Sequence, residues 1–387
     1  MSQRFVTFLL NILLSGLLAI ASTRSDSRTD FDRSFPSSPG KTLSIDLRSG
    51  GDITISGTSG NTVNVKVRFT GDDRDEIEVK AEETASGVEI RSEYADHYTH
   101  HHNGGADVEV EVPSQYNVSL KTMGGAVSIK GVEGEFDGTT MGGEIRLQDL
   151  TGKVKLTTMG GEIEASNSNL DGELKTMGGD VILRNVSGNV QGSTMGGDVR
   201  QEGTGPSGRA SSHTASGGEK KIHSMGGDLN LDSAPDGASL ETMGGEIHIG
   251  SAADHVKAKT MGGDIRVDSI DGWADLTTMG GDVTVNMVGD PSKGKRDVDI
   301  SSMGGDIELT LPAEISATFD LQTEFTTERS RIPKIVSDFP VNVTESSDCR
   351  YDHDRDCKIL VGSGKTGSGA NRIKIRTIQG DIIIKKR

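Results

Sequence analysis

Hydrophobic and polar residues alternate along most of this chain in short runs of four to six positions. Within residues 177–194, Val181 and Leu183 lie in one such run, a polar turn follows, and Val190 begins a second run. Alternation with a period of two is typical of a strand with one buried face. The segment therefore predicts two short strands and two turns, and nothing in it has a helical period.

This segment recurs at a fixed distance along the chain. The tetrapeptide Thr/Ser-Met-Gly-Gly occurs ten times, and seven of the nine intervals between its methionines equal the step from Met159 to Met177. A fixed period of this kind predicts stacked structural units. We therefore predict an all-β fold: a single-stranded parallel β-solenoid, right-handed, with two short strands in each 18-residue rung and about 4.8 Å between rungs.

The ends of the chain depart from this repeat. Residues 1–21 contain an apolar run and then Ala19-Ile20-Ala21, which predicts a secretory signal peptide. An uncleaved signal anchor is the alternative. We expect residues 22–40 to be a flexible linker, 41–120 irregular N-terminal rungs, 121–311 the regular array, and 312–387 C-terminal rungs and a cap. The expected location is extracytoplasmic, in the periplasm or secreted, without stable membrane insertion after cleavage.

The corner residues predict a thin, tightly wound solenoid. The chain has 52 glycines and only 4% aromatic residues, so its core should be a narrow stack of aliphatic side chains. Each Gly-Gly pair can form a sharp corner through positive φ or the missing Cβ. We expect the methionine before each pair to fill the corner by packing. By alternation from Leu156, Thr158 and its equivalents should point inward, and an ice-binding row is the alternative.

An acidic residue follows nine of the ten Gly-Gly pairs. These residues are Glu144, Glu162, Asp180, Asp198, Asp228, Glu246, Asp264, Asp282 and Asp306. Carboxylates about 4.8 Å apart repel by roughly 1 kcal/mol in water, so each needs a partner or solvent. We expect each to accept backbone N–H bonds at its own corner. Calcium capture is the alternative, because hard divalent cations prefer carboxylate oxygens.

Two irregular segments carry further candidate chemistry. His97, His100, His101 and His102 lie in one polar loop and form either a transition-metal site or a solvated surface. Cys349 and Cys357 are the only cysteines, and in an oxidising compartment we expect them to form a disulfide that closes a small loop.

The net charge and the composition of the loops argue against two classes of function, nucleic-acid binding and catalysis. The net charge of −17 argues against nucleic-acid binding, which needs clustered Lys and Arg. Catalysis needs a local cluster that breaks the repeat. The two main breaks, at residues 203–221 and 288–296, are Gly/Ser/Lys loops in which no carboxylate pairs with a histidine. We therefore predict a protein that is not an enzyme, and a polysaccharide-active enzyme stays the alternative.

Short motifs resemble one known family. They are the recurrent T-x-x-G-[DE]-[IV] corner, V-x-V-P at residues 110–113, L-x-L-P at 309–312 and T-x-x-G-D-I at 377–382. Over residues 41–387 the chain resembles the DUF4097 family of extracytoplasmic β-solenoids, also called toastrack or adhesin-like domains. The resemblance implies an adhesin-like or structural binding module of the cell envelope, with envelope polysaccharide or a surface protein as partner. It implies no catalytic residue and no cofactor. The alternative is an extracytoplasmic sensor domain that acts through a membrane partner.

Overall fold

The structure is a computed structural model that describes residues 31–95, 104–203, 218–326, 332–346 and 357–387. In these residues 31 strands join into one continuous sheet, and the single helical element is a 3-10 turn, Arg74–Glu76. No described segment forms a helix with the length and hydrophobicity that crossing a membrane requires. The predicted signal peptide and the predicted histidine loop, with His97, His100, His101 and His102, lie outside the described residues.

The strands fall into an N-terminal group, a central array and a C-terminal group. The N-terminal strands are β1 (Phe31–Pro36), β2 (Thr42–Leu47), β3 (Ile53–Thr58), β4 (Thr62–Gly71), β5 (Ile77–Thr84), β6 (Gly87–Tyr94) and β7 (Gly104–Pro113). The array strands are β8 (Asn117–Thr122), β9 (Val127–Lys130), β10 (Glu133–Thr140), β11 (Ile145–Gln148), β12 (Thr151–Thr158), β13 (Ile163–Ser166), β14 (Asn169–Thr176), β15 (Val181–Arg184), β16 (Val190–Thr194), β17 (Val199–Glu202), β18 (Lys220–Ser224), β19 (Leu229–Ala234), β20 (Ala238–Glu241), β21 (Ile247–Lys259), β22 (Ile265–Thr278), β23 (Val283–Met287), β24 (Val298–Ser302) and β25 (Ile307–Leu311). The C-terminal strands are β26 (Ala317–Thr326), β27 (Ile335–Ser337), β28 (Val341–Ser346), β29 (Cys357–Lys365), β30 (Asn371–Ile378) and β31 (Ile382–Lys386).

The array strands pair in parallel, each residue beside its equivalent in the next repeat. Ile145 pairs with Ile163, and Ile163 pairs with Val181, so the pairing here has the same period as the sequence repeat. The inward residues of every strand stack into one continuous core; Leu156, Ile163 and their equivalents are buried. The prediction of an all-β parallel solenoid is confirmed, and the right-handed coil stays a prediction.

The corner opposite the methionines uses residues that tolerate a left-handed backbone. Asp149, Asn167 and Asn185 occupy equivalent positions with φ of 55°, 50° and 53°, and Gly131 and Gly203 extend the series at either end. Asn and Asp adopt positive φ more readily than other residues with a Cβ. In β21 and β22 the strand runs through this corner, so each merges two predicted strands into one of 13 or 14 residues.

At the methionine corner, the backbone of the preceding rung leaves no room for a side chain at the second glycine of each pair. A Cβ on Gly179 would lie 2.3 Å from the carbonyl oxygen of Gly161, its equivalent in the preceding rung. A Cβ on Gly178 would meet nothing closer than 3.6 Å. Neither Gly178 nor Gly179 has a positive φ. Of the two reasons the sequence suggested for glycine here, the missing Cβ is the one that applies at Gly179.

The ends of the solenoid are built differently from the array. At the N-terminal end, β4 pairs antiparallel with both β1 and β7, and β5 pairs antiparallel with β6. At the C-terminal end, β29 pairs antiparallel with β26 and β28. The purely parallel pairing that we predicted therefore holds for the array but not for the ends. Residues 31–36, within the predicted linker, form β1, because alternate residues such as Phe31 and Phe35 pack against the core.

The strands that pair with the two ends of the array are not the strands that adjoin the array in the sequence. β2 and β3 pair with the first array strands, β8 and β9, although β4 to β7 lie between them in the chain. Likewise β30 and β31, the last strands, pair with β24 and β25. Chain segments from both ends thus cover the open faces of the array, which would otherwise expose unpaired strand edges.

The two corner glycines provide a matched test of this packing. We expect Gly179→Ala to lower the free energy of unfolding by about 2 to 3 kcal/mol, since the new Cβ must displace the backbone of the preceding rung. Gly178→Ala, one residue away, should change it by less than about 0.5 kcal/mol. Denaturant unfolding followed by circular dichroism measures both. Equal effects of the two variants would contradict the close approach at the second glycine.

Candidate functional site

The residue before nine of the ten methionines links one rung to the next, whereas Thr122 donates to Gly124 of its own rung. Thr176 is buried, and its hydroxyl donates to the carbonyl oxygen of Gly161 at 2.8 Å while accepting from the N–H of Gly179 at 3.2 Å. Ser224 makes the same two bonds, to Gly197 and from Gly227, each at 3.0 Å. The inward orientation predicted for these residues agrees with this burial, and a buried row offers no flat hydroxyl surface for ice.

The aspartates of the acidic row also join consecutive rungs. Asp180 Oδ1 accepts the backbone N–H of Asp198 at 2.9 Å, and Asp198 Oδ1 accepts that of Asp228 at 2.9 Å. Asp228, Asp264, Asp282 and Asp306 bond in the same way to the rung that follows. Our expectation of bonds at each residue's own corner was wrong for these aspartates, because the free N–H within reach belongs to the next rung.

The glutamates of the same row behave differently. Glu144, Glu162 and Glu246 carry one more methylene and form no such bond within the described residues; Glu144 instead pairs with Arg146 at 2.7 Å. Carboxylate oxygens of Glu144, Glu162 and Glu164 lie within 4.8 Å of one another. Glu164 is itself paired with Arg184. Calcium capture by the row stays the untested alternative, and two of these three carboxylates already have arginine partners.

The methionines point outward, contrary to our prediction that they fill the corners. All ten are exposed, from 37% for Met177 to 55% for Met123. The corner interior is already filled by the Thr or Ser side chain and by the closely stacked glycine backbone. The methionine side chains therefore form a continuous row on the outside of the solenoid.

One outward-facing cluster interrupts the repeated surface. His255 in β21 and Trp273 in β22 are register partners, and their rings stack with centroids 5.0 Å apart and planes 14° apart. The ammonium groups of Lys295 and Lys257 lie 4.8 and 5.5 Å from the centroid of the indole ring. A cation at this distance is attracted by the ring quadrupole. We call His255, Trp273, Lys257, Lys295 and Glu219 the Trp273 cluster.

Two carboxylates hold the histidine of this cluster. His255 Nε2 lies 3.0 Å from Glu219 Oε1, and Nδ1 lies 2.9 Å from Asp254 Oδ2. Glu219 is two rungs away, and the intervening residue is Gly237, where a Cβ would lie 2.4 Å from the imidazole. Gly237 thus leaves the space through which the imidazole reaches Glu219. Burial lowers the pKa of His255, but the two carboxylates outweigh it and raise that pKa above its ordinary value.

The same arrangement limits what the histidine can do chemically. The hydrogen bond from His255 lowers the pKa of Glu219, so the pair is stable as imidazolium and carboxylate. Both ring nitrogens face acceptors, which leaves no lone pair to take a proton from a substrate. The cluster is suited to binding through its aromatic ring and ammonium groups rather than to general-base catalysis.

A buried arginine fixes the loop that presents Lys295. Arg296 is 2% exposed, and its guanidinium donates to the carbonyls of Val288 and Asp290 at 2.7 and 3.0 Å and to the Asp271 carboxylate at 2.5 Å. These bonds hold residues 288–296 against the solenoid. We read this segment as a plain Gly/Ser/Lys loop, and only its folded contacts reveal the role of Arg296.

Sequence reasoning missed the Trp273 cluster. We judged that the first break, residues 203–221, offered no carboxylate paired with a histidine; Glu219 from that break does pair with His255, far along the chain. The available signals were the single tryptophan of the chain and its position between the two breaks.

Only one of the two cysteines of the predicted disulfide lies within the described residues. Cys357 begins β29 and is disulfide-bonded, whereas Cys349 lies outside the described residues. The pairing of Cys349 with Cys357 therefore stays a prediction.

A partly open pocket also lies near the C-terminal end of the array. A cavity of about 280 Å³ is lined by Met303, Gln322, Glu324, Lys374 and Arg376, among others. Its cationic groups already have partners, since Lys374 binds Asp299 at 2.8 Å and Arg376 binds Asp320 at 2.8 Å. In the Trp273 cluster, by contrast, Lys257 lies over the indole ring and forms no ion pair with any described residue.

Comparison with known proteins identifies the family. The model of the Toastrack DUF4097 family matches residues 41–219 and 221–327. The chain belongs to the Toastrack DUF4097 family. No curated protein matches it.

Three solved structures are similar to this Toastrack chain. A putative cell adhesion protein from Clostridium sporogenes is 11% identical, covering 92% of this chain and 99% of its own, with a TM-score of 0.19. A putative adhesin from Parabacteroides distasonis is 12% identical, covering 72% and 96%, with a TM-score of 0.37. A putative lipid binding protein from Parabacteroides distasonis is also 12% identical, covering 72% and 96%, with a TM-score of 0.28.

The histidine of the Trp273 cluster makes stability depend on pH. Because the folded-state pKa of His255 is raised, its contribution is fully present below the unfolded-state pKa of about 6.5 and is lost as pH rises through the folded-state pKa. We expect the denaturation midpoint of the native chain to fall from pH 6 to pH 8. His255→Gln should flatten this decline, as denaturant titrations at pH 6, 7 and 8 would measure. An identical pH slope in the two proteins would contradict the ion pairs assigned to His255.

Proposed function

We propose that this Toastrack chain is an extracytoplasmic, non-catalytic binding module of the cell envelope that recognises polysaccharide in the manner of an adhesin. The observation that carries the proposal is the Trp273 cluster, where the single tryptophan of the chain lies half-exposed on an otherwise repetitive polar surface. Tryptophan is enriched among the residues that contribute most to binding. A side chain that the core does not need, held in a fixed orientation, is suited to that role.

A disulfide bond and the N-terminal sequence both support an extracytoplasmic location. Cys357 is disulfide-bonded, and disulfides persist in extracytoplasmic compartments and are rare in the cytosol. The apolar run at residues 5–18, followed by Ala19-Ile20-Ala21, has the pattern of a secretory signal. Both observations favour a periplasmic or secreted protein.

The charges of the cluster favour an acidic polysaccharide as the ligand. Lys257 forms no ion pair with any described residue, and Lys295 has only an exposed contact with Asp297 at 3.4 Å. The net charge of the chain is −17, so most of its surface repels an acidic polymer. The two ammonium groups beside the indole ring would attract the carboxylates of such a polymer at one place on the solenoid.

The rigidity of the scaffold supports the same function. The cluster lies on strands β21 and β22, which pair with each other over most of their length, and on a loop fixed by the buried Arg296. Groups that are already held in place lose little conformational freedom when a ligand binds. The cluster therefore needs no rearrangement to present Trp273 and its lysines.

A binding screen with matched variants tests the proposal. We expect the native chain to bind uronic-acid polysaccharides more tightly than neutral ones, and Trp273→Ala to weaken binding about tenfold or more. Lys257→Gln should weaken it and make the remaining binding less sensitive to salt, because one screened charge contact is removed. Lys153→Gln serves as the control, since Lys153 is an exposed array lysine that pairs with Glu135 away from the cluster.

Three results would contradict the proposal. They are equal binding by the native chain and Trp273→Ala, loss of binding in the Lys153→Gln control, and release of sugar from any polysaccharide in the screen. The last would show catalysis in place of simple binding.

A further inference from the structure

The exposed methionines form a ladder of thioethers along one edge of the solenoid. The methionine row consists of Met123, Met141, Met159, Met177, Met195, Met225, Met243, Met261, Met279 and Met303. Met159 donates its backbone N–H to Thr140 at 3.1 Å, and Met177 donates to Thr158 at 3.2 Å. Consecutive methionines therefore lie one rung apart, about 4.8 Å by the usual strand spacing.

The row is continuous even where the chain has insertions. Extra residues separate Met195 from Met225, yet a Cβ on Gly226 would lie 3.6 Å from the carbonyl oxygen of Gly196. A shorter insertion separates Met279 from Met303, and Gly304 is similarly placed 3.8 Å from the oxygen of Gly280. Both insertions leave the solenoid elsewhere, so no corner is missing from the ladder.

The fold does not require methionine at this position. In the last rung the equivalent residue is Ile378, which follows Thr377, the equivalent of Ser302. Thr377 still makes the hydroxyl bond of the array, to the carbonyl of Gly305 at 2.7 Å. The corner thus also forms with an aliphatic side chain in place of methionine. Ten exposed methionines need an explanation other than packing.

What sets methionine apart from other apolar side chains is its sulfur. Thioethers are soft ligands that select Cu(I) among the common metal ions. The flexible side chain lets sulfur atoms on adjacent rungs turn toward one ion. Cys357 is disulfide-bonded, so it does not compete as a thiolate. The acidic row, which follows the Gly-Gly pair after nine of the ten methionines, adds a negative potential that concentrates cations near this edge.

We propose that the methionine row is a binding site for soft monovalent cations of the Cu(I) and Ag(I) class. Each ion is held by thioethers from two or three consecutive rungs. Ten thioethers shared in this way hold about three to five ions per chain. The site is separate from the Trp273 cluster and does not depend on polysaccharide binding.

Metal binding by thioethers should not weaken in mildly acidic solution. Thioethers carry no proton, whereas imidazole, thiolate and carboxylate ligands must lose one before they bind a metal. Binding by the methionine row should therefore persist at pH 5, where histidine is protonated. Binding by the histidine loop should not persist there.

Titration of the full chain with Ag(I) at pH 5 in chloride-free buffer tests the site. We expect native mass spectrometry to show about three to five bound ions. The variant Met159→Leu/Met177→Leu/Met195→Leu interrupts the row with side chains of similar size and should bind at least one or two ions fewer. The variant His97→Gln/His100→Gln/His101→Gln/His102→Gln is the matched control and should bind as many as the native chain.

A second measurement on the native chain covers the case in which the triple variant does not fold. Bound Ag(I) should slow the oxidation of the row methionines by peroxide, as read by peptide mass spectrometry, and an equal concentration of Ca²⁺ should not. Unchanged ion binding in a folded triple variant, loss of binding in the histidine control, or equal oxidation with and without Ag(I) would each overturn the proposal.

Discussion

The hydroxyl bond between consecutive corners is the interaction on which the rest of this solenoid depends. Thr176 and its equivalents from Thr140 to Ser302 donate to a glycine carbonyl of the preceding rung and accept from a glycine N–H of their own rung. Both backbone groups lie in a corner where strand pairing has stopped. Without the hydroxyl they would be buried and unpaired, at a cost of about 1 to 3 kcal/mol for each group. Repetition multiplies the effect, because each rung uses its neighbour as partner.

That bond also requires the glycine beside it. The hydroxyl reaches the preceding rung only if the two corner backbones approach closely, and the second glycine of each pair permits this approach. The aspartates then use the next free N–H on the outside of the same corner. The Thr, Gly and Asp positions therefore depend on one another. The methionine side chain takes no part in these contacts. Surface chemistry can vary there without loss of the fold.

Much of the array could be predicted from the sequence, because one repeat determines the pairing of all the others. The alternation around Leu156 and Ile163 specifies which face is buried, and the period specifies the partner. Alternation ends at the corner, which is why the outward direction of Met177 was missed. The order of the terminal rungs was missed because β2 and β30 reach the array through contacts distant in sequence. The pairing of Glu219 with His255 depends on the space above Gly237, which no pattern of residue types indicates.

The most direct test of the account compares Thr176→Val with Thr176→Ser by equilibrium unfolding. Valine keeps the shape of threonine but removes the hydroxyl, while serine keeps the hydroxyl, as Ser224 and Ser302 do in their own rungs. The account predicts that valine lowers the free energy of unfolding by about 2 to 6 kcal/mol, because two backbone groups lose their partner, and that serine stays close to the native chain. A valine variant as stable as the native chain would contradict it.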